Sequence, residues 1–210
     1  MNLKNIAFSV TAGLFLSGSI YAKTEVFKAD TTASKINWRG YKVFKVADHK
    51  GTIDLHKTME NKITFTDGKP TKGEFVVDMS TMVTTDNMDD SMKGKLIGHL
   101  KSGDFFDVAT KGNEISKLEL NTFKPLKGNK WEVSGHLTIK QIKNPVTFEV
   151  NVDRKGEKLK ADGSLTFDRT KYKVMYGAES VIGKVKDKVI ADQIELKVDL
   201  VAELEKDPKS

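Results

Sequence analysis

Apolar and polar residues alternate one by one through much of this chain. Ile36 and Trp38 stand between Lys35, Asn37 and Arg39. Phe75, Val77 and Met79 alternate with Glu74, Val76, Asp78 and Ser80. The same rhythm runs through Trp131 to Lys140, Val146 to Asp153, Lys158 to Phe167 and Ile194 to Leu200. A period of two is the mark of a strand with one face buried. Asp67-Gly68, Gly128-Asn129 and Lys155-Gly156 fall between these runs as hairpin-type breaks. One-sided alternation joined by short turns predicts an antiparallel sheet. Such a sheet folds as a sandwich or a closed barrel, and long strands favour closure because it removes exposed edges.

One segment departs from this rhythm. Between Asp86 and Lys101, Met88, Met92, Leu96 and Leu100 recur at a spacing of four, with Ile97 beside them. That spacing predicts one amphipathic helix, with Thr85 or Asp86 as its N-cap. The turn that follows, Ser102 to Asp107, carries two adjacent aromatics, Phe105 and Phe106. The helix is expected across the barrel or at its mouth.

The N-terminus is patterned differently. A short polar stretch with the single charge Lys4 precedes an uncharged apolar run, Ile6 to Leu16, and then small residues ending in Ile-Tyr-Ala22. This is the layout of a secretory signal peptide, with cleavage expected after Ala22 and export of the mature chain. The apolar run is shorter than the roughly 20 residues a membrane span needs. Residues 1–22 are therefore read as a leader and residues 23–210 as a single domain, a length that buries an adequate core.

Composition narrows the chemistry. There is no cysteine, which excludes disulfides, thiol catalysis, thiolate metal sites and covalent haem attachment. The four histidines, His49, His56, His99 and His136, form no metal-binding spacing. No serine sits in a GxSxG elbow, and no glycine-rich phosphate loop is present. The adjacent acids Asp89 and Asp90 are read as a solvated helix face. The net charge of +6 loses one unit with the leader's Lys4 and becomes +5. Only three arginines are present, Arg39, Arg154 and Arg169, and no basic run carries interleaved aromatics. A lysine-coated barrel is expected in place of a nucleic-acid binder, with room for transient contact with an anionic membrane surface. No cofactor is called for.

Met79, Met82, Met88 and Met92 crowd the end of one strand and the start of the helix. Methionine adapts to irregular apolar partners, and in an eight-stranded barrel such a cluster either fills the core or lines a cavity. At this point the chain resembles the YceI-like family of polyisoprenoid-binding periplasmic proteins. The resemblance rests on Ser34-Lys-Ile-Asn-Trp38 with His49-Lys-Gly51, and on Gly73-Glu-Phe-Val-Val-Asp-Met79 with Thr84 and Asp86. It rests further on the run Leu96-Ile-Gly-His-Leu-Lys-Ser-Gly-Asp-Phe-Phe-Asp-Val108. Gly135-His-Leu-Thr-Ile-Lys140 with Asn144-Pro-Val146, and Phe167-Asp-Arg169 with Tyr172 and Tyr176, complete it. The chain departs from the family pattern after Val108, where Ala109 to Ile115 replaces a Tyr-Pro and a Phe-rich strand. The start of that strand, and any pocket residue on it, is left open.

The resemblance implies an all-β, lipocalin-like extended antiparallel barrel of about eight strands with one short helix. It also implies an elongated apolar cavity for a polyisoprenoid, a quinone or prenyl lipid among them, or a similar long-chain amphiphile, with homodimers among relatives. The inward-facing candidates are Trp38, Phe75, Val77, Met79, Leu137, Ile139, Phe148 and Phe167. Met88, Met92, Leu96, Phe105 and Phe106 are the candidates on the helix and at the mouth. Each of these apolar residues serves equally as plain core. Arg169 and His49 are candidates for a polar head group, and an ion pair of Arg169 with Asp168 or Asp104 is the competing role. The expected function is binding and not catalysis. A lipid-processing enzyme would need a nucleophile–base pair in the cavity. A filled barrel that serves as a stress or interaction protein is the alternative.

Overall fold

The computed structural model describes residues 22–43, 48–182 and 189–206. The expected leader lies outside them except for Ala22. Ten strands follow in order: β1 (Thr24–Ala29), β2 (Lys35–Lys42), β3 (Asp48–Leu55), β4 (Lys62–Thr66), β5 (Lys69–Thr84), β6 (Ile115–Pro125), β7 (Lys130–Ile139), β8 (Ile142–Lys155), β9 (Lys158–Asp168) and β10 (Ile190–Leu204). A helix, α1 (Asp90–Lys101), interrupts them, and a 3₁₀ turn (Arg169–Tyr172) follows β9.

Every strand pairing is antiparallel. The ring β5-β3-β2-β10-β9-β8-β7-β6 closes on itself through β5 and β6, so eight strands make the barrel. The two remaining strands, β1 and β4, bridge β5 and β10 at one end. There the two longest strands, of 16 and 15 residues, outrun β2 and β3. The period-two pattern explains this arrangement, because each alternating run presents its apolar set to one interior. Of the hairpin turns, Asp67-Gly68, Gly128 and Gly156 take the positive φ that their sequence announces. The β7–β8 turn is different. Lys140 and Gln141 adopt φ of 50° and 61° without a glycine. Their side chains hold them there: Lys140 Nζ donates to the Phe105 carbonyl at 3.1 Å, and Gln141 Nε2 donates to the Lys111 carbonyl at 3.2 Å.

One end of the barrel is plugged. Phe27, Ile63, Phe65, Val152, Leu159 and Ala202 form a compact cluster there. The Phe27 and Phe65 rings stand 5.2 Å apart, and the Arg154 guanidinium lies over both, at 4.8 and 5.5 Å. Arg154 also donates twice to the Glu25 carboxylate, at 2.7 and 2.8 Å, tying β1 to β8. These charge-assisted bonds hold the Glu25 carboxyl down at about 2 against an ordinary 4.5.

The wall is not paired throughout. β8 and β9 pair only from Val150↔Gly163 to Lys155↔Lys158. Above that level Ile142 to Glu149 pair with β7 alone, and Ser164 to Asp168 pair with β10 alone. The inward side chains of upper β8, Val146 and Phe148 among them, are correspondingly only half-buried. Asn144 Nδ2, donating to the Lys171 carbonyl at 3.1 Å, ties the top of this seam to the 3₁₀ turn.

Two outcomes follow from this architecture. Because Glu25 has its folded pKa lowered, its stabilisation is full above pH 4.5 and is lost as the pH falls towards about 2. Glu25→Gln should therefore flatten the decline in melting temperature between pH 5 and pH 2.5, measured by thermal denaturation against wild type. An unchanged decline would show that the pair does not stabilise the plug. In hydrogen exchange, those amides of Ile142–Glu149 and Ser164–Asp168 that face the seam should exchange well before the paired amides of Val150–Lys155. Uniform protection along β8 would show a zipped wall.

Candidate functional site

The main core does not fill the barrel. A cavity of about 370 Å³ runs up its axis, within the size range of small-molecule sites. Strand register stacks its wall in layers: Gly40, Ile194 and Phe167 at one level, then Trp38, Leu196 and Leu165, then Ile36, Val198 and Gly163. From Ile194 to Leu200 this is about 20 Å of strand at ~3.3 Å per residue. The wall is almost entirely aliphatic and aromatic.

Trp38 shapes that wall. A Cβ on Gly51, its partner on β3, would meet the Trp38 indole at 2.7 Å and the Val83 carbonyl at 1.8 Å. Only glycine lets the indole lie flat against β3 there. The indole N–H is shared between the carbonyls of Thr52 and Val83, at 3.3 and 3.2 Å, where the β3–β5 register shifts.

The structure gathers most of the expected residues onto this one surface. Trp38, Phe75, Val77 and Met79 line the cavity from β2 and β5, and Leu137, Ile139, Phe148 and Phe167 line it from β7, β8 and β9. At the top, Leu96 of α1 and the buried pair Phe105 and Phe106 close over it. Met88 and Met92 do not line the cavity, and Met92 is 55 % exposed. The cause is the position of the helix start. The N-cap is Asp89, whose side chain accepts from the Met92 N–H at 2.8 Å, and not Thr85 or Asp86. Met88 thus precedes the helix, and the face that turns inward is Leu96, Ile97, His99 and Leu100. Asp89 is accordingly a cap and not merely a solvated acid. Asp86 serves β3 instead, accepting from His49 Nδ1 at 2.7 Å and from the Lys50 N–H at 3.1 Å. His49 stands at the mouth with that nitrogen committed.

Arg169 lines the same cavity but is not free to hold a head group. It is fully buried, and its guanidinium donates to four backbone carbonyls: Ala191 at 3.1 Å, Val174 at 2.8 Å, Tyr176 at 2.9 Å and Ile190 at 3.1 Å. Asp192 lies 3.8 Å away, so neither Asp168 nor Asp104 is its ion-pair partner. Burial lowers its pKa, with Asp192 and then Asp168 opposing that trend. The Phe105 ring packs 5.2 Å from its charge. Nearby, burial pushes the Tyr172 phenol up to about 12. Arg169 therefore fastens the segment after β9 to the start of β10.

Sequence reasoning missed part of the wall. Leu118, Leu120 and Phe123 come from β6, whose start had been left open and which begins at Ile115. Leu118 and Leu120 do alternate with polar neighbours, the one local signal available. Among the described residues no group of three or more His, Asp or Glu is placed to hold a metal ion.

The Arg169 contacts generate a measurable outcome. Arg169→Ala strips four buried carbonyls of their donor and should cost about 3–5 kcal/mol in urea unfolding. A head-group arginine would instead leave stability intact and weaken ligand binding alone.

The comparisons agree with this geometry. A search of curated proteins returned no match. BcnA of Burkholderia cenocepacia is 22 % identical, with a TM-score of 0.56 over 82 % of this chain and 98 % of its own. A domain from Saccharophagus degradans, described as polyisoprenoid binding and implicated in plant cell wall breakdown, is 16 % identical, with a TM-score of 0.58 over 85 % of this chain and 98 % of its own. Both identities are low, so both likenesses speak for the fold. The family model described as the YceI-like domain matches residues 27–202, from the end plug of the barrel through all the strands that wall the cavity, and the chain belongs to the YceI-like family.

Proposed function

We propose that this protein is an exported carrier that holds one polyisoprenoid, such as a quinone or prenyl lipid, or a similar long-chain amphiphile, inside the barrel. The observation that carries this reading is the elongated, almost wholly apolar cavity of about 370 Å³ inside the barrel. Burial of an alkyl chain gains about 0.8 kcal/mol per CH₂. Roughly five to twenty buried methylene equivalents thus offset the ~4–15 kcal/mol cost of association. Tail chemistry is read loosely by such a wall, and tail length by its depth. The fold similarity to the polyisoprenoid-binding domain from Saccharophagus degradans supports the choice of ligand class.

The reading is of binding and not catalysis, since Arg169 is committed to backbone carbonyls and His49 Nδ1 to Asp86. Export rests on the leader pattern of residues 1–22, with the periplasm as destination. Transient contact with an anionic membrane surface fits the same role. The exposed side chains Lys171, Lys173 and Met175 lead along the chain to Tyr176 of the cavity wall and join basic to apolar character.

Native mass spectrometry of the mature protein, purified from the cell envelope and then extracted with organic solvent, tests the proposal. One prenyl or acyl species per chain is expected. Phe148→Asp should abolish uptake while the circular dichroism of the barrel persists. A clean apo mass, with no uptake of added long-chain isoprenoids or fatty amides, would overturn the carrier reading in favour of an interaction protein.

A further inference from the structure

Among the described residues, one buried side-chain nitrogen or oxygen has no hydrogen-bond partner: Nε2 of His99. His99 lies in the last turn of α1 and belongs to the wall of the cavity. Its backbone is anchored, because its carbonyl accepts from both the N–H and the hydroxyl of Ser102, at 3.1 and 2.8 Å. Aromatic edges and faces surround the ring, with Phe105 at 5.8 Å and Tyr176 at 4.4 Å between centroids. A polar atom held dry without a partner costs stability, so its retention calls for a reason, and a bound group that supplies the missing bond is one.

The other polar groups around the cavity have settled partners. Arg169 serves four carbonyls, the Trp38 N–H serves two, and the Ser116 hydroxyl donates to Met79 Sδ at 3.1 Å. His49 is paired with Asp86, and Tyr41 donates to Glu195 at 2.8 Å. Lys42 and Lys117 are exposed side chains. Among the described residues His99 Nε2 is thus the buried polar atom left to recognise something at the aromatic top of the cavity.

We infer that His99 Nε2 is the polar contact for the head of the bound amphiphile, and that this head is a neutral oxygen-bearing group: an alcohol, a carbonyl or an amide. This rests on the carrier reading above and narrows its ligand class. An imidazole nitrogen accepts from a hydroxyl or an amide N–H in one tautomer and donates to a carbonyl in the other. An anionic head placed there would need His99 itself to take up and bury a proton, since Arg169, the one buried cation among the described residues, has its donors committed to carbonyls. Tyr176 controls access. Its ring covers His99 and is half exposed, while its carbonyl is held by Arg169. The ring is thus free to turn outwards on a fixed backbone and admit the head group.

The test compares geranylgeraniol with the hydrocarbon of the same chain, titrated into delipidated protein and followed through tryptophan fluorescence, for which Trp38 in the wall is the reporter. Wild type should bind the alcohol about tenfold more tightly than the hydrocarbon, the worth of one neutral hydrogen bond. His99→Phe should bring the two affinities together by weakening the alcohol and leaving the hydrocarbon unchanged. His99→Gln, whose amide reaches the Nε2 position, should restore most of the preference. In wild type the His99 ring ¹⁵N resonances should shift with the alcohol and stay in place with the hydrocarbon, a readout that needs no variant to fold. A preference that survives in His99→Phe, or equal affinities in wild type, would overturn this inference while leaving the carrier reading standing. Binding of neither probe would overturn both.

Discussion

Closure of the sheet between β5 and β6 commits every second residue of eight strands to one interior. Everything else in the molecule answers to that constraint. Closure satisfies the backbone groups that an open edge would expose, but it also fixes the space the inward side chains must fill. At the plugged end they suffice: Phe27, Phe65 and Leu159 are essentially inaccessible to solvent. Higher up, the layers mix Trp38 and Phe167 with Gly40, Gly51 and Gly163, and the inward set falls short of filling the ring. The cavity is thus a consequence of side-chain size along a wall whose circumference is already set. It required no special loop or separate domain.

Buried and half-buried polar side chains brace the wall where its ladder breaks or its strands end. The Trp38 indole serves the two carbonyls beside the β3–β5 register shift. Arg169 does the same on a larger scale, collecting carbonyls from the segment after β9 and from the start of β10. Arg154 joins the ends of β1 and β8 over the aromatic plug. Each is a long side chain whose donors reach several acceptors at once, and in each the apolar or aromatic part packs on the core. These three residues are positioned to hold the barrel's shape against the weight of an interior that its own side chains do not complete.

Much of this was legible in the chain. β7, β8 and β9 show period-two alternation over eight to ten residues, and glycine marks three of the turns. Eight of the inward candidates read from that alternation do lie on the cavity wall. What escaped depends on contacts between distant segments. β1 and β4 are short and take their place only by bridging β5 and β10. The Lys140-Gln141 turn is held by the Phe105 and Lys111 carbonyls, which no local pattern announces. The spacing of Met88, Met92, Leu96 and Leu100 imitated a longer helix, because periodicity does not register that Asp89 caps the chain one turn later. On sequence Arg169 offers a head-group contact or an ion pair with Asp168 or Asp104, and neither reading reaches its carbonyl partners on β10, which lie about twenty residues away.

The seam between upper β8 and β9 links shape to exchange of contents. Opening a barrel elsewhere in the ring breaks a ladder of hydrogen bonds, each flanked by packed side chains on the next strand. Between Ile142–Glu149 and Ser164–Asp168 no ladder exists to break. Phe148 and Val146 on one margin, and Leu165 and Phe167 on the other, already present apolar surface across it. For the ligand proposed above, entry through the mouth would run end-on beneath Phe105 and Phe106, whereas this unpaired margin would admit a long flexible chain sideways, one segment at a time. On that reading the Asn144–Lys171 bond and a few side-chain rotations, and not unfolding of the barrel, would set the barrier to loading. Tight retention by a large apolar contact and practicable release are compatible in this fold for that reason.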